Sequence, residues 1–407
     1  GVDIDRIPAA AAGTVVLADD LGPAEVPRLV DAGALGAVLR HGSPTAHATI
    51  VARGLGFPLV IGAGDGLDDA SDGALLVLDG AQGTVRVDPP AQDAERARAR
   101  AAEADAEATR LREAAQQPVQ TADGTRVTVA ANVGSLADAR AAVANGADAV
   151  GLLRTELLVL DLPEYPDEDR QAADLAAIFD VLGDRPVTVR VLDAGGDKPV
   201  ATLDVGPEHN SFLGVRGPRY LLEHPELLRT QLRAVMRAAH GHRVSVMAPM
   251  VTVRAEAEAF RAAVDDAAAA LRDDGVAFAA PEAVGIMVEV PAAALAADQF
   301  AGVADFFSVG SNDLTSYVMA AERTEPGVAS LLDPASPAVG RLLDQLCSAA
   351  REAGIDVAVC GEMAADPDRA PELVARGVHE LSMAPARIPA IKSLLRSARI
   401  PPDPSVH

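Results

Sequence analysis

The residues of this 407-residue chain that could do chemistry together are arginines, carboxylates, one histidine and one cysteine. Arg154, Arg190 and Arg216 are planar, permanently charged forks whose N–H groups match phosphate or carboxylate oxygens. Glu289 and Asp313 are hard carboxylates that suit Mg2+, an ion that keeps several waters and shares substrate oxygens. A cationic clamp beside a divalent metal, in an acidic protein, points to a small phosphorylated anion as substrate. His47 follows a Gly42-Ser43-Pro44-Thr45 turn that opens a helix, which places it in the first turn. Free backbone N–H groups and the positive end of the helix dipole favour an anion there, so a phosphorylated imidazole would be stabilised. His47 reads either as a nucleophile or as a capping and packing residue. Cys360, in a stretch of small residues, reads by itself as a small buried hydrophobe.

These residues need elements that bring them to one place. From Gly124 onward the chain repeats strand then helix. Apolar runs at 127–131, 149–153, 187–192, 244–247, 284–290, 306–309, 357–359 and 380–383 predict strands, and Ala-rich patterns such as 135–145, 254–273 and 338–353 predict helices between them. Strands alternating with helices over about 280 residues suit an α/β fold of the (β/α)8 TIM-barrel type, whose active site lies at the C-terminal strand ends. A doubly wound open sheet has the same count. The predicted strand ends carry Arg154-Thr155-Glu156, Arg190 with Asp193, Glu289, Asn312-Asp313 and Cys360-Gly361-Glu362. One strand-end arginine is ordinarily a surface ion pair, but polar residues at several ends of one rim form a set.

Ahead of this region, residues 13–90 predict a small domain of short strands, at 14–17, 37–39, 59–61, 75–78 and 85–87, with one helix over about 45–55. Residues 91–117 contain neither Gly nor Pro and are mostly Ala, Glu, Asp and Arg, with acids three or four positions from arginines. They predict a helix of roughly 40 Å, read as a stiff connector rather than a surface helix because its polar faces run all round. The domains expected are therefore 1–90, a helical linker over 91–120, and a barrel over 121–407. The formal net charge of −24 argues against nucleic acid or an anionic membrane as partner. No apolar run reaches the length of a membrane span. Two cysteines, Cys347 and Cys360, do not make a disulfide framework and suit a reducing cytoplasm.

From about residue 17 to 391 the sequence resembles the phosphoenolpyruvate-utilising phosphotransferases, most closely the Enzyme I branch of the bacterial phosphotransferase system. The stretch GSPTAHATIVARGLGFPLVIG is similar to the phosphohistidine signature, with His47 in the phosphorylated position. GLLRTELL, VRVLDAGGDKP, NSFLGVRGPR, RTQLRA, GIMVEVPAAAL, DFFSVGSNDLTSY, LDPASPAV and CGEMAADP follow the family's motifs in order.

The resemblance implies a swivelling β/β/α phosphohistidine domain ahead of a phosphoenolpyruvate-binding barrel. It implies that Arg154, Arg190 and Arg216 hold the phosphate and enolate, that Glu289 and Asp313 bind Mg2+, and that Asn312 and Arg323 bind the phosphate or carboxylate end. It further implies that Cys360 protonates the enolpyruvate carbon, giving pyruvate, and that His47 passes its phosphoryl group to a histidine of the small phosphocarrier protein HPr for sugar uptake. A homodimer formed through the barrel is implied as well. In the family a helical carrier-binding region precedes the signature, so the phosphohistidine domain is expected to be incomplete at its N-terminus here. The alternatives are a relative of pyruvate phosphate dikinase or phosphoenolpyruvate synthase, or a non-catalytic regulatory protein that keeps the fold.

Overall fold

Residues 12–22, 25–42, 48–49, 51–52, 56–67, 70–160, 162–195, 203, 213–322, 325 and 327–400 are described by a computed structural model. The chain divides into two compact units, Gly1–Arg110 and Leu111–His407. In the first, β1 (Val15–Ala18), β2 (Gly36–Leu39) and β3 (Leu59–Val60) form a parallel sheet in that order, with α1 (Glu25–Asp31) joining β1 to β2. β4 (Leu76–Asp79) and β5 (Thr84–Val87) pair as an antiparallel hairpin. Val26, Leu29, Ala37, Ala48, Ala52 and Phe57 pack into a small core. Residues 48, 49, 51 and 52 are helical, within the helix expected over 45–55, while His47 lies outside the described residues. The division between the units falls inside α2 (Ala91–Ala115), the helix expected over 91–117.

The second unit is a closed barrel. Its strands are β7 (Arg126–Val133), β8 (Val150–Arg154), β9 (Val187–Arg190), β10 (Val244–Ala248), β11 (Val284–Val288), β12 (Phe306–Gly310), β13 (Asp356–Cys360) and β14 (Glu380–Met383), preceded by the short β6 (Val119–Gln120). Neighbours along β7 to β14 pair in parallel, and β14 returns to β7 with Glu380 opposite Thr128 and Met383 opposite Ala131. That pairing excludes the open doubly wound sheet. β6 adds an antiparallel pairing to β7 through the Thr121-Ala122-Asp123-Gly124 turn.

Parallel strands covered on both faces must be apolar throughout, so β8 and β11 are buried almost end to end. The covering helices are α3 (Leu136–Ala144), α4 (Glu168–Leu182), α5 (Pro218–Glu223), α6 (Pro225–Ala238), α7 (Arg254–Asp273), α8 (Pro291–Leu295), α9 (Ser311–Met319), α10 (Pro337–Ala353), α11 (Arg369–Ala375) and α12 (Ile388–Ser397). Local sequence sets their ends. Ser135 caps α3 by accepting from the Asp138 N–H, and Asp138 returns a bond from the Gly134 N–H. Ser336 and Pro337 open α10, and Gly354 at φ +68° closes it.

The largest core joins the strands to these helices. A second cluster, Leu152, Met247, Met287 and Cys360, brings together residues of strands that are not all neighbours, which places it inside the barrel just below the strand ends. At the opposite end, Lys392 of α12 is fully buried and donates to the carbonyls of Ala115 and Gln117 and to Asp148 Oδ1 at 2.5 Å. Arg396 donates to the carbonyls of Ala114 and Gln117. The last helix thereby satisfies carbonyls at and just beyond the end of α2, where intrahelical partners run out.

Removing one partner of a buried ion pair leaves the other desolvated. Lys392→Met is expected to lower unfolding free energy by about 3 kcal/mol, the lower end of such losses because 22% of the Asp148 side chain stays exposed. Denaturant unfolding of the variant measures this, and a loss below about 1 kcal/mol contradicts the role given to Lys392.

Candidate active site

The C-terminal strand ends hold a buried charge network. β8 and β9 pair to their last residues, with a register shift between Val150 and Leu153, so Arg154 and Arg190 stand opposite one another, Arg154 half-buried and Arg190 buried. Arg190 Nη2 pairs with Glu156 Oε1, and Arg190 Nη1 lies 3.3 Å from Asp193 Oδ2. Arg216 grips Asp193 in a fork, Nε to Oδ1 at 2.9 Å and Nη2 to Oδ2 at 3.0 Å. The same Nη2 donates to Asp313 Oδ2 at 3.0 Å, across the barrel mouth from the loop after β9 to the first turn of α9. Burial by itself would weaken the Arg190 cation, but the charges of Glu156 and Asp193 outweigh it and hold its pKa above the ordinary value. Arg216 is raised in the same way, with Asp193 and then Asp313 outweighing burial.

Glu289 follows β11, and its Oε1 accepts the Met250 N–H at 2.7 Å. Met250 holds φ at +52°, a left-handed conformation that costs free energy for a side-chain-bearing residue and is retained here where its N–H meets the carboxylate. Gly310, at the end of β12, leaves Glu289 its space: a Cβ there would lie 2.6 Å from Glu289 Oε2 and 2.8 Å from its Cβ.

Asp193, Glu289 and Asp313 each place a carboxylate oxygen within 4.8 Å of the other two, and all three are buried. The donor set is oxygen only, which suits a hard divalent cation such as Mg2+, Mn2+ or Ca2+. Charge supports the fit. Among the described residues, the buried carboxylates Glu156, Asp193, Glu289 and Asp313 outnumber the buried guanidiniums of Arg190 and Arg216 and the half-buried Arg154 beside them. A cation would offset that excess of negative charge.

Cys360 closes the set on the neighbouring strand end. Ser308 Oγ donates to its Sγ at 3.7 Å, and the thiol donates to the Val309 carbonyl at 3.4 Å. Burial pushes the thiol pKa up to about 11, with Glu289 adding to the rise and the Ser308 bond, Arg154 and Arg190 opposing it. Cys360 is therefore a neutral S–H at physiological pH, able to give a proton. Asn312 Oδ1 accepts the Glu362 N–H at 3.2 Å and so joins α9 to the loop after β13. Gly361, at φ +116°, permits that approach, since a Cβ there would lie 2.5 Å from Ser311 Oγ.

Of the residues singled out in the sequence, Arg154, Arg190, Arg216, Glu289 and Cys360 lie at the strand ends or in the loops that follow them, and Asn312 and Asp313 in the first turn of α9 after β12. Asp193 joins Arg190 to Arg216, and Arg216 joins that pair to Asp313. His47 and Arg323 lie outside the described residues. The sequence assigns no role to Glu156 or Asp193; Asp193 pairs with Arg190 three residues before it, whereas Glu156 pairs with Arg190 of the neighbouring strand, which its own sequence neighbours do not show.

A closed barrel whose rim combines arginines, a cluster of carboxylates that could hold a divalent ion and a buried thiol has the groups to receive a small phosphorylated anion. Residues 108–400 match the PEP-binding domain of PEP-utilising enzymes, and residues 10–83 match the mobile domain of PEP-utilising enzymes. The chain is 45% identical over 396 residues to a phosphoenolpyruvate-protein phosphotransferase of Haloferax volcanii, an alignment covering 96% of this chain and 68% of that protein. It is 38% identical over 400 residues to the protein of the same name from Geobacillus stearothermophilus, covering 98% of this chain and 69% of that one. A multiphosphoryl transfer protein of Xanthomonas campestris pv. campestris is 44% identical over 386 residues, covering 94% of this chain and 45% of that protein. The chain belongs to the PEP-utilising enzyme family. It spans about two thirds of the length of the two phosphotransferases and less than half of the multiphosphoryl transfer protein.

The state of Cys360 is directly measurable. In the Cys347→Ala background, the difference in thiolate ultraviolet absorbance with and without Cys360 should appear with a midpoint near pH 11. A midpoint below pH 9 would contradict the neutral thiol.

Proposed function

We propose that this chain transfers the phosphoryl group of phosphoenolpyruvate to its own His47, releases pyruvate, and passes the group on to a histidine of the phosphocarrier protein HPr. The observation that carries the reading is the joined set Arg190–Asp193–Arg216–Asp313 beside Glu289 and the protonated Cys360, on one rim of a barrel.

In this reading Arg154, Arg190 and Arg216 receive the phosphate and the enolate oxygen, with Asn312 and Arg323 at the phosphate or carboxylate end. Arg216 now spends one N–H on Asp313, so substrate and that carboxylate compete for the same fork. Glu289 and Asp313 are the residues that would hold a divalent ion, Mg2+ in this proposal. When bound, that ion supplies Lewis-acid neutralisation of the phosphoryl oxygens. An imidazole nitrogen of His47 attacks phosphorus in line; the P–N bond forms as the bond from phosphorus to the bridging oxygen breaks, and the electron pair leaves on the enolate. Cys360 gives its proton to the enolate carbon, which yields pyruvate. The resulting thiolate, with its high pKa, recovers a proton from water. The reading requires His47 to visit both this rim and the carrier, with residues 91–117 as the lever, in a protein of the cytoplasm that dimerises through its barrel.

Incubation with Mg2+ and phosphoenolpyruvate labelled in the phosphate should leave acid-labile label on the protein, lost in His47→Ala. Label that persists unchanged in that variant removes His47 from the mechanism. Cys360→Ala should still take up label but release pyruvate at least about a hundredfold more slowly, the usual scale for loss of a general acid. Full turnover in that variant would exclude Cys360 as the proton donor.

A further inference from the structure

Gln231 projects from α6, on the outside of the barrel, and is 3% exposed. It reaches the place where two strands part. β8 and β9 pair as far as Arg154 and Arg190; beyond that, β8 turns into a 3-10 segment over Thr155–Leu158 while the chain after β9 runs on, buried, through Asp193. The Val191 N–H still pairs with the Met247 carbonyl on the β10 side. On the β8 side, the Arg190 carbonyl and the Leu192 N–H have lost their strand partner, and an unmade hydrogen bond in that setting costs about 1–3 kcal/mol.

Gln231 fills the gap. Its Oε1 accepts the Leu192 N–H at 2.8 Å, its Nε2 donates to Thr155 Oγ1 at 3.1 Å, and Thr155 Oγ1 donates to the Arg190 carbonyl at 3.0 Å. The direction of each bond is fixed by chemistry. Leu192 offers only a donor and the Arg190 carbonyl only an acceptor, so the amide and the hydroxyl have one consistent orientation between them. The ring encloses Arg190, Val191 and Leu192, and the next residue is Asp193, the carboxylate that holds both Arg190 and Arg216. Neither Gln231 nor Thr155 contributes a side-chain hydrogen bond to either guanidinium.

We propose that Gln231, acting through Thr155, is a positioning residue for the phosphate-binding arginines: it fixes the backbone on which Arg190 and Asp193 stand. The inference rests on the phosphoryl-transfer reading. Displacement of a binding group by about 1 Å can cost a hundredfold, so Gln231→Leu should raise the KM for phosphoenolpyruvate at least about tenfold. Partial unfolding lowers kcat by removing active protein but leaves KM unchanged, so the rise in KM separates positioning from stability.

The experiment measures kcat and KM, melting temperature and amide exchange at residues 190–193 for Gln231→Leu, Thr155→Val, the double variant and Thr155→Ser. Expected are faster Leu192 exchange in Gln231→Leu, similar rises in KM for both single variants, no further rise in the double variant, and near wild-type KM for Thr155→Ser, which keeps the hydroxyl. The Thr155 pair carries the test should Gln231→Leu not fold. A wild-type KM in folded Gln231→Leu or Thr155→Val, or a double variant whose effects multiply, overturns the proposal. A wild-type protein that does not consume phosphoenolpyruvate fails the catalytic reading instead, and does so in the same assay before any variant is compared.

Discussion

Among the described residues, four carboxylates and two guanidiniums buried in one barrel mouth are the constraint on which the site depends. Two unit charges about 4 Å apart interact by about 4 kcal/mol at an effective dielectric of 20, so an uncompensated pair of negative charges in that space is costly. Removing any single charge shifts the burden to its neighbours. The arginines are held by carboxylates in the structure as it stands, and those same carboxylates supply the oxygens a dication would use. In the proposed reaction, substrate phosphate, metal and protein charges would draw on one shared set of contacts. The bulk charge of −24 governs the surface and which polyanions are repelled; the local arrangement of a few arginines sets positive charge at the barrel mouth.

The scaffold meets this constraint with groups that carry no charge. Gly310 makes room for Glu289, and Met250 accepts an unfavourable φ to aim its N–H at that carboxylate. Gln231 and Thr155 replace a strand partner where β8 leaves the sheet. Ser308 and the Val309 carbonyl orient a thiol that burial keeps protonated. Each fixes the position of a reactive or charged group before any ligand arrives, which is how a rigid barrel lowers the cost of ordering at binding.

Much of this was legible in the sequence. Parallel strands buried on both faces read as apolar runs, so all eight barrel strands lie where those runs are, within a few residues at their ends. The run at 187–192 overshoots because Val191 and Leu192 stay buried and extended after pairing with β8 has ended. β6 went unread because two residues joined by a polar turn give no periodic signal. Arg154, Arg190, Glu289, Asp313 and Cys360 were readable from strand ends and motifs. The pairing of Arg216 with Asp313, 97 positions apart, was not, because closure of the barrel creates it. A buried amide on an outer helix, as at Gln231, cannot be told in a sequence from a glutamine that faces water.

The most direct test of the account is calorimetric titration of His47→Ala with phosphoenolpyruvate, with Mg2+ present and with all divalent cations chelated. If the excess of buried carboxylates requires a cation before a trianion is admitted, Mg2+ should tighten phosphoenolpyruvate binding at least about a hundredfold, and phosphoenolpyruvate should tighten Mg2+ binding by the same factor, as linkage demands. Equal affinity for phosphoenolpyruvate with and without the cation would contradict the account.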